Sequence, residues 1–301
     1  MTTWRTMMQV DAFTTTPFTG NAAAVVPDAD DLDPVVMQRI AREMNVSETA
    51  FILGSDEADL RIRWFSPTVE VPLCGHATVA ACHALVETGR LKVPGHYTIQ
   101  TAAGILAVDL EPSDDAPCRV WLDIPIPIFQ PSDVSMLALG SALGLDESEF
   151  SAELEPIRGG EYLYIACNNL AALLTLKPDQ SALRLLSHTQ DITGFVLYTL
   201  SGLSQESALH ARFFAPIIGI DEDPVTGSAH GPLGALLVGL GIIKAPVDQR
   251  TVCYQAEQGD GIGRSGRVDV AITLDERGEP ERARVGGIAV TVVRGQLRSS
   301  S

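Results

Sequence analysis

Basic residues are scarce in this sequence, and their scarcity excludes several kinds of partner. The 301 residues include 21 Lys and Arg against 38 Asp and Glu, which gives a formal net charge of −17. Phosphate backbones and anionic lipid surfaces repel such a chain, so neither a nucleic acid nor a membrane surface is expected as a partner. No run approaches the 18 consecutive apolar residues of a membrane span, and Asp11 interrupts any signal-peptide core near the N-terminus.

Cysteine is also sparse, and its pattern does not suggest a disulfide framework. Five cysteines are spread over the chain without paired spacings. An odd number of scattered cysteines favours a reduced, cytoplasmic protein with free thiols. Hydrophobic residues make up 46% of the chain, which is an ordinary globular composition with enough length for two domains of roughly 150 residues.

Common cofactor and metal motifs do not fit the sequence. Gly261–Gly266 has the GxGxxG spacing, but the following residues 267–274 alternate like a strand, whereas a dinucleotide site requires a helix there. Four neighbouring residues could suggest a metal site: Cys74, His76, Cys82 and His83. Their spacing matches no standard zinc pattern, so neither a metal nor a cofactor is expected.

The two halves of the chain repeat each other in order, at an offset of about 150 residues. Four pairs of segments correspond: 20–26 with 168–174, 48–51 with 192–195, 63–67 with 212–216, and 75–77 with 227–229. The repeat predicts two similar domains. The alternative is that α/β domains simply reuse similar pieces.

Hydrophobic periodicity predicts that each half is mostly strand around one long apolar helix. The helix of the first half is predicted over 77–88 and its counterpart over 231–240. Both segments are rich in small residues and apolar nearly all round. A helix without a polar face belongs inside a wrapped sheet.

A loop with a glycine near its C-terminal end precedes each predicted central helix, at residues 71–77 and 221–228. The first amides of a helix point outward with a partial positive charge, and Gly75 and Gly227 would allow a ligand to approach them closely. Such N-termini bind a carboxylate or stabilise an enolate-like anion. Alternatively, Thr226 and Ser228 are ordinary caps and Gly75 an ordinary turn residue.

Glu48 is the candidate proton carrier. It lies between the first predicted helix and an apolar strand, and a carboxylate in apolar surroundings can have a raised pKa. Most such residues are surface charges or caps. The repeat favours a catalytic role because Ile192 occupies the matching position, whereas a structural role would be common to both halves.

His76 and Asp223 are the further candidates for acid–base work. His76 could carry a second proton because histidine titrates near neutrality, although a helix-capping or packed histidine is the usual alternative. Asp223 precedes Pro224 in the matching loop. It could orient His76, or it could be the turn residue that Asp-Pro commonly provides.

Several of these segments together resemble one family over nearly the whole chain. The segments are Val10–Phe13 with Gly20-Asn21, Ser47–Phe51, Arg63–Pro67, Leu73–Thr78 and Glu222–Ala229. They are similar to the PhzF family of phenazine-biosynthesis-like isomerases. The resemblance implies an α+β fold of two pseudo-symmetric diaminopimelate epimerase-like domains, each a barrel-like sheet around a central helix. We expect these domains at 1–128 and 129–284, with a final strand at 285–297 returning to the first.

The resemblance also implies a reaction and a set of site residues. A Glu at the position of Glu48 is the family's acid/base, and it moves a proton between carbons of trans-2,3-dihydro-3-hydroxyanthranilate without cofactor or metal. His76, Asp223 and Ser228 correspond to residues that bind and orient the substrate. The remaining residues expected to bind substrate are Asn21, Cys74, Gly75, Thr226 and Gly227.

Two other functions stay open at this point. Epimerase relatives use two thiols, and this sequence has Cys74 at the first position but Thr226 at the second, which argues against a two-thiol racemase. A non-catalytic binding protein is the other alternative. The expected partner is a small carboxylated metabolite. Homodimers are common among relatives, but the sequence carries no interface pattern.

Overall fold

The chain folds into two compact units. The computed structural model describes residues 2–300, so residue 1 of the predicted N-terminal domain lies outside the described residues. Unit 1 extends to Asp123 and resumes at Gly286, whereas unit 2 covers Ile124–Val285. Among the described residues, no helix combines the length and apolar character that crossing a membrane requires.

Unit 1 contains two helices, eight strands from the first half of the chain and the C-terminal strand. Its helices are α1 (Pro34–Met44) and α2 (Gly75–Glu87). Its strands are β1 (Thr2–Ala12), β2 (Asn21–Val26), β3 (Glu48–Leu53), β4 (Leu60–Phe65), β5 (Glu70–Val71), β6 (Gly95–Thr101), β7 (Gly104–Glu111), β8 (Arg119–Ile124) and, from the C-terminus, β18 (Ala289–Ser300).

The sheet of unit 1 mixes two parallel pairs with antiparallel neighbours. Strands β2 and β3 are parallel and are connected through α1, whereas β3 and β4 are antiparallel. Strands β4 and β6 are again parallel, with β5 and α2 between them in sequence. The C-terminal strand β18 pairs antiparallel with β1 along its length.

Unit 2 contains the other four helices. They are α3 (Met136–Leu143), α4 (Leu170–Thr175), α5 (Gln180–Gln190) and α6 (Gly227–Gly239). Its strands are β9 (Phe129–Pro131), β10 (Ile157–Gly159), β11 (Tyr162–Ala166), β12 (Gly194–Thr199), β13 (Ser207–Ala215), β14 (Ile220–Asp223), β15 (Thr251–Gln258), β16 (Gly266–Leu274) and β17 (Pro280–Gly287), whose last two residues fall in unit 1.

The sheet of unit 2 repeats the pairing order of unit 1. Strands β11 and β12 are parallel and are connected through α4 and α5. Strand β13 is antiparallel to β12 and parallel to β15, with β14 and α6 between them in sequence. Three of the four segment pairs read from the sequence lie in equivalent elements of this repeated topology. The fourth pair is wrong, because residues 21–26 form β2, whose counterpart is β11, whereas residues 168–174 lead into α4. The predicted α+β fold of two similar halves is confirmed.

Each unit is built around one buried helix. Every residue of α2 from His76 to Leu85 is buried, and so is every residue of α6 from Ala229 to Val238. Helix α2 packs against β1, β2 and β3, and helix α6 packs against β16. Burial on all sides explains the missing polar face, and the prediction that these helices lie inside their sheets is confirmed.

The two central helices begin differently from the others. Helices α1, α3, α4 and α5 each start with a side chain that accepts a hydrogen bond from a first-turn amide; these caps are Asp33, Ser135, Asn169 and Asp179. Cys74 and Thr226 occupy the same position before α2 and α6, and neither side chain makes such a bond. The chain therefore leaves the starts of these two helices without a side-chain cap.

Candidate active site

Glu48 is placed by the end of α1 and the start of β3. Asn45 ends α1 in the left-handed conformation, with φ of 51°, and turns the chain toward the sheet. Glu48 is the first residue of β3 and pairs with Ala23 of the parallel strand β2. Its side chain is only 13% exposed. A carboxylate thus lies at the end of a buried strand pair.

The Glu48 carboxylate lies beside the imidazole of His76, which is in the first turn of α2. Oε2 of Glu48 is 3.2 Å from Nε2 of His76. On the other side of the ring, Nδ2 of Asn21 is 3.3 Å from Nδ1 of His76. The Ser47 hydroxyl donates to Oδ1 of Asn21 at 3.4 Å, which directs the Asn21 amino group toward the ring.

These contacts agree with one tautomer of His76. The Asn21 amino group is a donor, so Nδ1 must accept and carries no proton. Nε2 then carries the proton and donates it to the Glu48 carboxylate. The side chains of Ser47, Asn21, His76 and Glu48 form a continuous series of hydrogen bonds.

Burial decides the charge of His76. It lowers the pKa of the imidazole from 6.5 to about 3, because the cation loses its hydration. The expectation that His76 titrates near neutrality is therefore wrong. Its contact with Glu48 is a hydrogen bond from a neutral ring to a carboxylate, and His76 serves as a donor at neutral pH.

Cys74 is the third member of this group. Its Sγ lies 3.5 Å from Nδ1 and 4.0 Å from Nε2 of His76, and the residue is half-buried. Cys82 and His83, which the sequence placed with Cys74 as metal candidates, are buried within α2 instead. Ligand atoms of Glu48, Cys74 and His76 all lie within 4.8 Å of one another.

Space is left open at Gly75, the first residue of α2. A Cβ atom added there would have only Leu122 Cδ1 within 4 Å, at an ordinary 3.9 Å. The surrounding protein therefore does not require glycine at this position. A ligand that approaches the first amides of α2 would require it.

The loop before α6 is held by a buried glutamine. The hydroxyl of Thr226 donates to Oδ2 of Asp223 at 2.5 Å. Gln258 donates to the Asp223 carbonyl at 2.8 Å and to the Thr226 hydroxyl at 3.1 Å, and it accepts from the Thr226 amide at 3.1 Å. Thr226 therefore orients a carboxylate and does not act as an ordinary cap.

Neighbouring residues complete this second loop. His230 donates from Nε2 to Oε1 of Gln258 at 2.9 Å, and burial lowers its pKa to about 4, so the ring is neutral. The hydroxyl of Ser228 lies 3.2 Å from that of Tyr162. Gln258, Ser47 and Tyr162 were missed in the sequence. Gln258 ends a strand that also contains Gln255 and Glu257, so no local pattern distinguished it.

Strand register corrects one correspondence between the halves. Phe65 pairs with the residue after Glu48, and the matching Phe214 pairs with the residue after Gly194. The counterpart of Glu48 is therefore Gly194, and the assignment to Ile192 is wrong by two residues. The inference drawn from it is unchanged, because a carboxylate still occurs in only one half.

The helix starts give the same correspondence. Val71 and Asp223 pair with equivalent residues of β4 and β13, and each comes four residues before the glycine that begins the central helix. Cys74 and Thr226 are therefore equivalent N-cap residues. Only one of the two candidate thiol positions holds a thiol.

Two α+β units, each built around a buried central helix, are the architecture of the diaminopimelate epimerase-like class. A crystal structure of a PhzF-family phenazine biosynthesis protein from Bacillus anthracis matches with a TM-score of 0.89 at 31% identity, over 98% of this chain and 99% of that one. A hydroxyproline epimerase from Agrobacterium vitis shares the fold at 14% identity with a TM-score of 0.61, over 98% of this chain and 92% of that one.

Sequence comparisons identify the family. The family model described as phenazine biosynthesis-like protein matches residues 10–295. The chain is 40% identical over 289 residues to the uncharacterized isomerase YddE of Escherichia coli K12, covering 93% of this chain and 94% of that protein. It is 37% identical over 297 residues to an uncharacterized isomerase of Clostridium acetobutylicum, covering 97% of each. The chain belongs to the PhzF family.

Proposed function

We propose that this protein is a cofactor-independent isomerase in which Glu48 moves a proton between carbon atoms of a small carboxylated substrate. The observation that supports this most directly is the position of the Glu48 carboxylate, 3.2 Å from the neutral, donating ring of His76. A hydrogen bond from a neutral donor stabilises the carboxylate and orients it without supplying a competing proton.

The reaction class follows from what Glu48 can do. A carboxylate can remove a proton from carbon only where the resulting carbanion is delocalised, next to a carbonyl or an unsaturated system. The same carboxyl group then returns the proton to another carbon. His76 holds Glu48 in place, and Asn21 holds His76. One acid/base residue is sufficient for such a transfer.

We assign the substrate's negative charge to the start of α2, beside Glu48 and His76. Neither Cys74 nor Thr226 caps its helix, and Gly75 leaves room for a ligand at the start of α2. Backbone amides there suit a carboxylate. We assign Asp223, Thr226, Gly227 and Ser228 to substrate binding, in line with the family resemblance, and Gln258 to holding that loop.

Deuterium incorporation tests this function. Small carboxylates, including hydroxyanthranilates and amino acids, are first screened for those that raise the thermal stability of the full chain. Each hit is then incubated with protein in D2O. We expect deuterium to enter at carbon with wild-type protein and not with Glu48→Gln. Glu43→Gln, which removes an exposed carboxylate at the end of α1, should behave like wild type. A fully active Glu48→Gln protein refutes the proposal.

A thiol-dependent epimerase is the second candidate, and one contact favours it. Sγ of Cys74 lies 3.5 Å from Nδ1 of His76 at a helix start, where thiolates are stabilised. Thr226 occupies the equivalent position in unit 2, so a second thiol is missing there. Exchange that survives in Glu48→Gln but stops in Cys74→Ala would identify the epimerase. A stoichiometric protein partner, with no stabilising small molecule, would favour a binding protein instead.

A further inference from the structure

We propose that Arg212 is a positioning residue for the substrate-binding loop before α6, which it holds through a buried ion pair with Glu222. Its role in binding rests on the proposed function, because that function assigns Asp223 and Thr226 of this loop to the substrate. Arg212 lies on β13, and Glu222 lies on β14, the short strand that leads into the loop.

The guanidinium of Arg212 connects three elements of unit 2. Nε donates to Oε1 of Glu222 at 2.8 Å, and Nη2 donates to Oε2 at 2.7 Å. Nη1 donates to the carbonyls of Leu173 and Leu176, at the C-terminal end of α4, at 2.8 and 2.9 Å. A planar guanidinium presents its donors in a fixed fork, which suits a carboxylate on one side and carbonyls on the other. Arg212 therefore ties β14 to both β13 and α4.

This ion pair is shielded from water. The side chains of Arg212 and Glu222 are 5% and 13% exposed, and the guanidinium lies 5.0 Å from the centre of the Phe214 ring. When one member of a buried pair is removed, the other is left as an uncompensated charge in apolar surroundings. A substitution of either residue should therefore loosen the strand that the pair holds.

The alternation of side chains along β13 separates the ion pair from the substrate loop. Phe213 belongs to the core cluster that includes Ala229 of α6, whereas Phe214 belongs to the cluster that includes Leu173 of α4. Arg212 is two residues from Phe214 and shares its face of the strand. The ion pair thus lies on the α4 side of the sheet.

Strand β14 carries the effect of this anchor to the other side. Asp223 pairs with Phe213, so its side chain lies on the α6 side of the sheet, opposite to that of Glu222. There the Asp223 carboxylate accepts the hydroxyl proton of Thr226. One short strand is therefore fixed through Glu222 on one face and presents Asp223 to the start of α6 on the other.

Unit 1 contains the equivalent ion pair. Arg63 donates from Nε and Nη2 to the two oxygens of Glu70, at 2.7 and 2.6 Å, and lies 5.2 Å from the centre of the Phe65 ring. Glu70 directly precedes Val71, the counterpart of Asp223. The same device therefore holds the strand before each central helix. Glu70 is 34% exposed, so water and salt weaken the pair of unit 1 more than that of unit 2.

Amide hydrogen exchange of the full chain, read by mass spectrometry, tests the anchor without any substrate. Peptides covering 220–228 should exchange at least about tenfold faster in Glu222→Gln, because opening of the loop no longer breaks the ion pair. Arg212→Lys should act in the same direction, since an ammonium cannot serve both the carboxylate and the α4 carbonyls. Asp221→Asn removes the same charge from an exposed position of β14 and should match wild type. Glu70→Gln should leave these peptides unchanged.

Steady-state kinetics then test the positioning role. The probe is the small carboxylate that wild type labels fastest in D2O. In Glu222→Gln and Arg212→Lys, KM should rise at least about tenfold, because a displaced loop binds the substrate less well. The kcat should fall by less than about threefold, since Glu48 moves the proton and lies in unit 1. A merely structural role would lower the amount of active protein, and hence the apparent kcat, and leave KM unchanged.

The outcomes separate this role from the proposed function. Unchanged amide exchange at 220–228, an unchanged KM, or equal loosening in Asp221→Asn overturns the positioning role of Arg212. If wild type labels no carboxylate, the proposed function fails and the role in substrate binding fails with it. Faster amide exchange in Glu222→Gln would in that case still show that the ion pair holds the loop.

Discussion

The amino group of Asn21 lies 3.3 Å from Nδ1 of His76, on the side of the ring that faces away from Glu48. Asn21 is fully buried, so it contributes to the site through His76 in this structure. The family resemblance placed Asn21 among the substrate-binding residues. From its contact with His76 we propose that Asn21 is a positioning residue, which determines the nitrogen of His76 that carries the proton.

Exchanging Asn21 for aspartate should move that proton. The Asn21→Asp carboxylate can only accept, so Nδ1 must be protonated and Nε2 can no longer donate from a neutral ring. Turnover should fall by roughly 100-fold or more, the scale of a lost acid–base contribution. Imidazole 15N chemical shifts should show protonation at Nε2 in wild type and at Nδ1 in the variant. Ser47→Ala, which removes only a 3.4 Å contact, should keep the wild-type tautomer. Protonation of Nδ1 in wild type would contradict the assignment.

Gly75→Ala should separate stability from activity. An added Cβ meets only Leu122, at 3.9 Å, so the free energy of unfolding should stay within about 0.5 kcal/mol of wild type. The methyl group would project where we expect the substrate carboxylate, and turnover should fall sharply. Urea denaturation and deuterium exchange measure the two effects.

Gly234→Ala is the matched control for that substitution. Gly234 lies inside α6, and an added Cβ would come within 2.8 Å of both Val270 Cγ1 and Tyr254 Oη. Overpacking of this kind costs about 1–3 kcal/mol. A Gly75→Ala protein that is destabilised as much as Gly234→Ala would show that the space at Gly75 is structural.

Glu257 should make the free energy of unfolding depend on pH in the acid range. Burial alone would raise its pKa, but hydrogen bonds from the amides of Leu203 and Ser204, aided by His210 and Arg267, lower it below 4.5. Because the folded pKa is the lower one, its contribution is fully present above the unfolded pKa and is lost as pH falls through the folded value.

Melting temperatures between pH 7 and pH 3 check this effect. Wild type should lose stability below about pH 4.5, and Glu257→Gln should show a shallower loss, after an initial cost at pH 7 of about 1–3 kcal/mol for the altered buried group. Glu206→Gln, an exposed change on the loop before β13, should follow wild type. An equally steep loss in Glu257→Gln would assign the acid dependence to other groups.

Thiol reagents should modify two of the five cysteines in the native protein and leave the three buried ones unmodified. Burial raises the pKa of Cys118 to about 11 and of Cys167 to about 12, and it raises that of Cys82 further. Cys74 is half-buried and Cys253 exposed. Iodoacetamide should therefore modify Cys74 and Cys253 in the native protein, as read by peptide mass spectrometry.

Ligand protection sharpens that experiment. A bound substrate should slow the modification of Cys74 and leave Cys253 unchanged, because only Cys74 lies beside Glu48 and His76. Modification of Cys74 should also abolish deuterium exchange by occupying the space beside Glu48 and His76. Equal protection of both cysteines would point to a general stabilisation of the fold.

Much of the fold could be predicted from local patterns. The apolar, small-residue runs in both halves predicted two buried helices, and three of the four matched segment pairs predicted the repeated topology. The pair 20–26 with 168–174 was wrong, because the first is a strand and the second leads into α4. Helix starts were predicted two to four residues late, at Ala77 and Gly231. Cys74 before α2 is not a typical N-cap residue, and the glycines that begin both helices are weak helix formers.

Sequence by itself determined the order of strands and helices, the small residues that let two helices be enclosed by their sheets, and the acidic, thiol and imidazole groups available for chemistry. Only the tertiary structure decided which of these meet. Glu48, Cys74 and His76 come together because β3 pairs parallel with β2 and α2 packs against both strands. The first residue of β3, Glu48, therefore lies near the start of α2. Burial then set the charge of His76, and contacts distant in sequence set the roles of Asn21 and Gln258, since desolvation and hydrogen bonding depend on neighbours that no local pattern specifies.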